Sequence, residues 1–226
     1  MLSRRSFLQR AGMVGAASVL VQVPALLDAR GLLATAAAQS ADLTEDTFSG
    51  LVAFVIPGSD PYSVAQGQSA DGPGGIGAGA VPVLIATLDS VLPLATYVGP
   101  DATVPVSGGV ATLLNSYATR VNPTAANGGF PSPFARLSFA EKAKVFETWQ
   151  AEPSQDGTEM RFLAGILTGV TNLIGYSEAG VFDPKTRAPT RRPVGWDISG
   201  YGGPAEGHAE FKGYYGGFRS AIDPHA

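Results

Sequence analysis

The clearest pattern in the chain is a series of apolar stripes at helical spacing, separated by stretches rich in glycine and proline. Phe48, Leu51, Val52 and Val55 recur at intervals of three and four, which predicts a first helix with one apolar face. Thr44 stands where an N-cap is expected, Glu45 and Asp46 fall in the favourable first turn, and Pro57-Gly58 stops the helix. Val81, Leu84, Ile85, Leu88, Val91 and Leu92 predict a second helix over 80–94. Val110, Leu113, Leu114, Tyr117 and Val121 predict a third over 107–121, ended by Asn122-Pro123. A fourth starts at Ser138-Phe139-Ala140-Glu141, which has the form of a capping box, and continues through Val145, Phe146 and Trp149 to Glu152-Pro153.

A fifth predicted helix, 158–176, is apolar nearly all round, with no charge between Arg161 and Glu178. Such a helix is expected to be buried on every side at the centre of the fold, or partly reserved for a partner. Gly165 and Gly169 lie four apart and would permit close helix contact there. The fold class expected is therefore all-α: about five helices around an apolar central helix.

Two segments break the helical rhythm. Residues 59–79 carry Asp60-Pro61, Gly72-Pro73 and Gly74-Gly75 and read as a loop of about 20 residues, a length often tied to function. The run 74–79 looks superficially like a dinucleotide loop. No strand precedes it, and no acidic residue follows at the distance that motif needs. Residues 178–226 hold five prolines and many rings, among them Trp196, Tyr201, Tyr214 and Tyr215. Aromatic density of that kind is unusual in a disordered tail, and suggests an ordered segment wrapped on this bundle or on another protein.

Composition narrows the picture. The 29 glycines and 17 prolines agree with long irregular connections. The absence of cysteine excludes disulfides, thiolate metal sites, iron–sulfur clusters and thioether-linked haem. There is no basic cluster of the kind that nucleic acid requires.

The N-terminus is basic and then modestly apolar. Ser3-Arg4-Arg5-Ser6-Phe7-Leu8 resembles the signal of bacterial twin-arginine export, with Arg4, Arg5, Phe7 and Leu8 as its targeting residues. The apolar stretch 11–27 is interrupted by Pro24 and is short for a spanning helix. Small residues Ala36 and Ala38 suit signal peptidase, so 1–38 is expected to be removed as a signal peptide. The alternative is an uncleaved anchor. Cleavage would leave 188 residues with 11 basic and 18 acidic side chains: a helical domain (39–177) and an aromatic wrap segment (178–226), with no stable membrane span. The expected location is the periplasm or the cell exterior, reached in folded form through the twin-arginine translocase.

Candidate chemistry is sparse. Glu206, His208 and Glu210 alternate on a glycine-rich stretch and make a poor preformed metal cage. Ile198-Ser199-Gly200 lacks the leading glycine and the strand of a nucleophile elbow. Asp89 falls off the apolar stripe of its helix. No catalytic, cofactor-binding or metal-binding residue is assigned.

The export signal, the helix ending in Ile56-Pro57-Gly58, the segment Leu137-Ser138-Phe139-Ala140-Glu141-Lys142 and the tail Gly195-Trp196-Asp197-Ile198-Ser199-Gly200-Tyr201 together resemble the gluconate 2-dehydrogenase subunit 3 type of small subunit. They are also similar to an uncharacterised actinobacterial secreted family with the same Ile-Pro-Gly helix end. The resemblance implies a cofactor-free, non-catalytic chain that stabilises and co-exports a large flavoprotein subunit of the glucose–methanol–choline class, with FAD in that partner. Trp196, Asp197, Tyr201, Tyr214 and Tyr215 are the partner-binding residues expected on this reading. Two rivals remain. One is a stand-alone exported protein binding an apolar ligand, and the other is a hydrolase with a site around His208.

Overall fold

The computed structural model describes residues 41–91, 105–151 and 155–202. The fold is all-α, with one two-stranded hairpin. Helices α1 (Ala41–Val55), α4 (Ala80–Val91), α5 (Val106–Val121), α6 (Phe139–Ala151) and α7 (Gln155–Tyr176) form the bundle. Short helices α2 (Pro61–Ala65) and α3 (Gly74–Gly77) follow α1, and a 3-10 turn spans Pro123–Ala126. After α7 come β1 (Phe182–Asp183), β2 (Ala188–Pro189) and α8 (Val194–Ser199).

The centre belongs to α5, not to α7. Every residue from Val106 to Asn115 is buried, and α5 packs against α1, α4 and α6. Its Gly108, Gly109, Ala111 and Ala118 keep the helix thin enough for three neighbours to close around it. By contrast α7 has one buried face, built by Met160, Leu163, Ala164, Leu167, Thr171 and Ile174. Its opposite face is open: Leu173 is 70% exposed, and a Cβ at Gly165 or Gly169 would meet nothing within 4 Å. The expectation of a central fifth helix, with Gly165 and Gly169 at a close crossing, is therefore corrected.

The capping box forms as its sequence predicts. Ser138 N and Oγ both donate to Glu141 Oε2 at 2.9 Å, and Glu141 N donates back to Ser138 Oγ at 3.4 Å. Burial pushes the Glu141 carboxyl up, but the Ser138 and Asn122 hydrogen bonds outweigh it and hold it below its ordinary value. Thr44, by contrast, is not a cap. The helix already runs from Ala41, and Thr44 is buried within it.

Residues 59–79 are not a structureless loop. Asp60 caps α2 by accepting from Tyr62 N at 3.0 Å and Ser63 N at 2.9 Å, with Pro61 at the first helical position. Gly74 adopts φ +58, and its backbone lies so close to Gly58 that a Cβ would sit 2.6 Å from Gly58 N. These glycines let α3 press onto the end of α1.

Two buried polar clusters hold α1 to the rest. In the first, Asn115 Oδ1 accepts from Ser132 Oγ at 2.7 Å and Phe134 N at 3.0 Å, while its Nδ2 donates to Thr47 Oγ1 at 3.0 Å. Asp46 accepts from Ser132 N at 2.7 Å and from the Tyr62 hydroxyl at 2.6 Å. Burial and the Asp46 carboxylate push the Tyr62 phenol up to about 12. In the second, fully buried Lys142 on α6 donates through Nζ to Gly50 O at 3.1 Å and Gln66 Oε1 at 2.8 Å. Burial pulls its ammonium down to about 7, against the opposing pull of Asp60 and Asp46.

Candidate functional site

The segment after α7 builds a small cap on the end of that helix. Ser177 turns the chain by donating its hydroxyl to Ile174 O at 3.0 Å. Val181 is buried, and its carbonyl accepts from Thr190 N at 2.9 Å and Thr190 Oγ1 at 3.0 Å, closing the base of the hairpin. Phe182 pairs with Pro189 and Asp183 with Ala188. At the tip the Asp183 carboxylate accepts from Lys185 N at 2.8 Å and Thr186 Oγ1 at 3.1 Å. Arg187 there adopts φ +55, the left-handed conformation that a side chain adopts at a cost of about 1 kcal/mol.

Helix α8 seats the aromatic residues. Pro193 precedes it, and Gly200 at φ +69 ends it. Tyr201 N then donates to Trp196 O at 2.8 Å, which brings the Tyr201 and Trp196 rings edge to face with centroids 5.2 Å apart. Arg192 ties the unit together. Its Nε donates to Asp197 Oδ1 at 2.6 Å, another guanidinium nitrogen donates to Tyr201 O at 2.8 Å, and its guanidinium carbon lies 5.6 Å from the Trp196 ring centroid. The Arg192–Asp197 pair is half exposed, so it orients more than it stabilises.

The cap leaves a shallow cleft of about 520 Å³, lined by Ser177, Glu178, Ala179, Phe182, Pro184 and Trp196. Around it Phe182 is 45% exposed, Tyr201 48% and Tyr176 43%. The Trp196 and Tyr201 rings are held edge to face, and Phe182, Tyr201 and Tyr176 stay open to water, a concentration of exposed rings that suits an interface.

Of the expected partner-binding residues, Trp196, Asp197 and Tyr201 come together in this cap. Tyr214 and Tyr215 lie outside the described residues, as do Arg4, Arg5, Phe7, Leu8, Ala36, Ala38 and His208. The expectation of irregular structure from 178 onward is corrected as far as residue 202 by the hairpin and α8. Sequence reasoning did not assign Tyr176 or Arg192 to this surface. Pro193 ahead of Val194-Gly195-Trp196 and Gly200 behind it were the available signs of a short helix.

Gly195 is the joint between cap and bundle. A Cβ there would fall 2.5 Å from Gly175 O and 2.5 Å from the Tyr176 carbonyl carbon, both backbone atoms that cannot swing away. Gly195→Ala is expected to lift α8 off α7. Trp196 fluorescence should shift to longer wavelength, while the far-ultraviolet helix signal changes little. An unshifted Trp196 spectrum in a Trp149→Phe background would refute this docking.

A second cavity, of about 570 Å³, lies among the starts of α1 and α5 and the face of α4. Pro82, Ile85 and Ala86 supply apolar walls, with Thr44, Glu45 and Asp89 as polar members. Asp89 is not a buried acid; it accepts from Ser107 N at 2.8 Å and Ser107 Oγ at 3.0 Å and so caps the start of α5.

Comparison with protein-family models, curated proteins and solved structures returned no match. Chemistry must therefore be judged from the side chains. Among the described residues, no group of three or more His, Cys, Asp or Glu side chains could hold a metal, and no helix is long and apolar enough to cross a membrane. Lys142 is the one described lysine with a pKa brought near neutrality, but it is wholly buried and no substrate can approach its nitrogen. Among the described residues, the aromatic cap is an accessible feature that gathers exposed rings.

Proposed function

We propose that this chain is a non-catalytic accessory subunit that binds, stabilises and co-exports a flavin-dependent oxidoreductase of the glucose–methanol–choline type. The observation that supports it best is the aromatic cap, where Tyr176, Phe182 and Tyr201 are ordered but more than two-fifths exposed. The twin-arginine pattern at Arg4 and Arg5 supports the export half of the reading, since that route carries folded proteins. FAD would reside in the partner, and this chain would contribute surface rather than chemistry.

The test is joint export. Changing Arg4 and Arg5 to Lys keeps the charge but removes the paired guanidinium groups. Both this chain and a co-purifying flavoprotein are expected to remain in the cytoplasm, as measured by fractionation and flavin absorbance. Normal export of the flavoprotein from that strain would reject the escort role. The cavity beside Ile85 favours a second reading, a stand-alone protein that holds an apolar ligand there. Recovery of a colourless monomer carrying an extractable lipid would favour it.

A further inference from the structure

The cavity among α1, α4 and α5 carries charge of one sign. Pro82, Ile85 and Ala86 on α4, with Pro105 ahead of α5, form apolar walls, and among the described residues its charged lining side chains are Glu45 and Asp89. Neither α1 nor α4 holds a basic side chain, and the one on α5, Arg120, stands in the last turn, at the end away from the cavity. Glu45, Pro82, Ala86 and Pro105 are exposed, so a solute can enter without any part of the fold moving. Asp89 accepts twice, from Ser107 N and from Ser107 Oγ. A carboxylate offers about four acceptor positions, so Asp89 caps α5 and still has room for another donor. Its charge also answers the positive end of α5, which would otherwise favour an anion.

We infer that this cavity binds a small organic cation, a primary ammonium on an aliphatic body, with the ammonium at Glu45 and Asp89 and the body against Pro82, Ile85 and Ala86. This rests on the second reading above, that a ligand is held here, and does not need the escort role. The cavity's 570 Å³ falls in the range of about 300–1,000 Å³ common to small-molecule sites. An ammonium brings three donors and no acceptor, which is what two carboxylates call for. Other occupants fit less well. An anion meets both carboxylates and finds the start of α5 already capped. A purely apolar molecule would cover the carboxylates and give them no donor in return. A quaternary ammonium is recognised by aromatic faces, and among the described residues no ring lines this cavity. A bare divalent cation wants about six oxygen ligands, where these walls are largely carbon.

The experiment titrates the chain, purified from its host, with octylammonium, octanol and octanoate in a calorimeter at pH 7. The three share a tail and differ in charge, and the amine is protonated there as a lysine is. Octylammonium is expected to bind about tenfold more tightly than octanol, with octanoate weakest, since two accessible carboxylates each contribute roughly two- to fivefold. Glu45→Gln with Asp89→Asn should bring octylammonium down to the affinity of octanol. Because Asp89→Asn also touches the cap of α5, Glu45→Gln is measured alone as well. It alters an exposed side chain, and should weaken octylammonium about two- to fivefold while leaving octanol unchanged. Ala86→Trp fills the cavity from an exposed position and should remove binding of all three. Butylammonium, with the four methylene carbons of a lysine stem, should bind about tenfold or more weakly than octylammonium, because the walls lose half of the tail.

Equal binding of octylammonium and octanol, both lost in Ala86→Trp, overturns the inference and leaves the apolar-ligand reading standing. A preference for the amine that survives loss of both carboxylates, or binding that survives Ala86→Trp, overturns it by placing the contact elsewhere. Butylammonium as tight as octylammonium overturns it too, because the walls then carry nothing and the stem of a partner's lysine would serve as well. Silence of every probe also overturns it, and the lipid extraction described above then decides the apolar-ligand reading on its own.

Discussion

Asn115→Ala is expected to lower the unfolding free energy by about 1–3 kcal/mol, the cost of leaving a buried hydrogen-bonding group without its partner. Asn115 lies at the junction of three chain segments. Its amide donates to Thr47 on α1, and its carbonyl oxygen accepts from Ser132 Oγ and Phe134 N in the segment before α6. Truncation leaves the Phe134 N–H buried without its acceptor and removes the acceptor of a buried hydroxyl. Ser132→Ala should also be costly: Asp46 still accepts from Ser132 N, but Ala135 N and Thr47 Oγ1 lose the hydroxyl that accepts from them. The two substitutions share one network, so the double variant should lose clearly less than the sum of the singles. Denaturant unfolding of the four proteins at pH 7 measures this. Strict additivity, or a loss below about 1 kcal/mol for Asn115→Ala, would show that the network is not what holds the segment before α6 to the bundle.

Much of the helical architecture was legible because its determinants are local. Ser138 and Glu141 are three residues apart, and their mutual caps need nothing else from the fold. The stripe on α4 likewise reports one-sided burial directly, and those on α1 and α5 mark part of a burial that extends around the helix. The partners in the Asn115 network are 68 and 17 positions apart, and no local pattern encodes such a meeting. Strands β1 and β2 are two residues each, too short for alternation to register.

The case of α7 is the most instructive for the site. Its all-round apolar composition suggested burial on every side, yet composition cannot say where the neighbouring helices stop. Leu173 and Tyr176, three apart on one face, were left outside the core, and Tyr176 meets α8 at Gly195. Half of the candidate surface was thus visible, as the Trp196-to-Tyr201 tail. The other half lies on a helix whose composition left two readings open, burial at the centre or a surface partly reserved for a partner.

Lys142 was overlooked for a related reason, although a sign was available. Lys142, Val145, Phe146 and Trp149 make an i, i+3, i+4, i+7 stripe whose first member is a lysine, and all four are buried. The site offers its nitrogen two neutral acceptors, Gly50 O and Gln66 Oε1, which match the two protons of an uncharged amine. The face of Phe134, with its centroid 5.7 Å from Nζ, closes another side. An ammonium there carries one proton more than the hydrogen bonds at hand.

The consequence is a rise in stability with pH where most proteins are past their maximum. In the unfolded chain the lysine stays protonated up to about 10.5, and in the folded protein only up to about 7. Between those values unfolding takes up a proton, so each pH unit adds up to about 1.4 kcal/mol of stability from this group. Across the window the contribution is on the order of 5 kcal/mol, present in full above pH 10.5 and lost as the pH falls through 7. Tyr62 acts in the opposite sense. Its folded-state pKa is raised to about 12 from 10.0, so its contribution is present below pH 10 and lost as the pH climbs toward 12. The sum of these two contributions alone is therefore greatest near pH 10.

Lys142→Met should abolish the rise. Methionine fills the stem's volume without titrating, but it leaves Gly50 O and Gln66 Oε1 without this donor, at a cost of about 1–3 kcal/mol. The parent and variant curves should then cross: the variant at least as stable as the parent at pH 6, and the parent clearly more stable at pH 9.5. Denaturant midpoints at half-unit pH intervals from 6 to 10 test this. Parallel curves would mean that Lys142 keeps its proton in the fold and that Asp46 and Asp60 outweigh its burial. Asn115→Ala connects the two predictions. By freeing Phe134 it should admit water to Nζ, raise the lysine toward its ordinary range and flatten the pH dependence even where the lysine itself is intact.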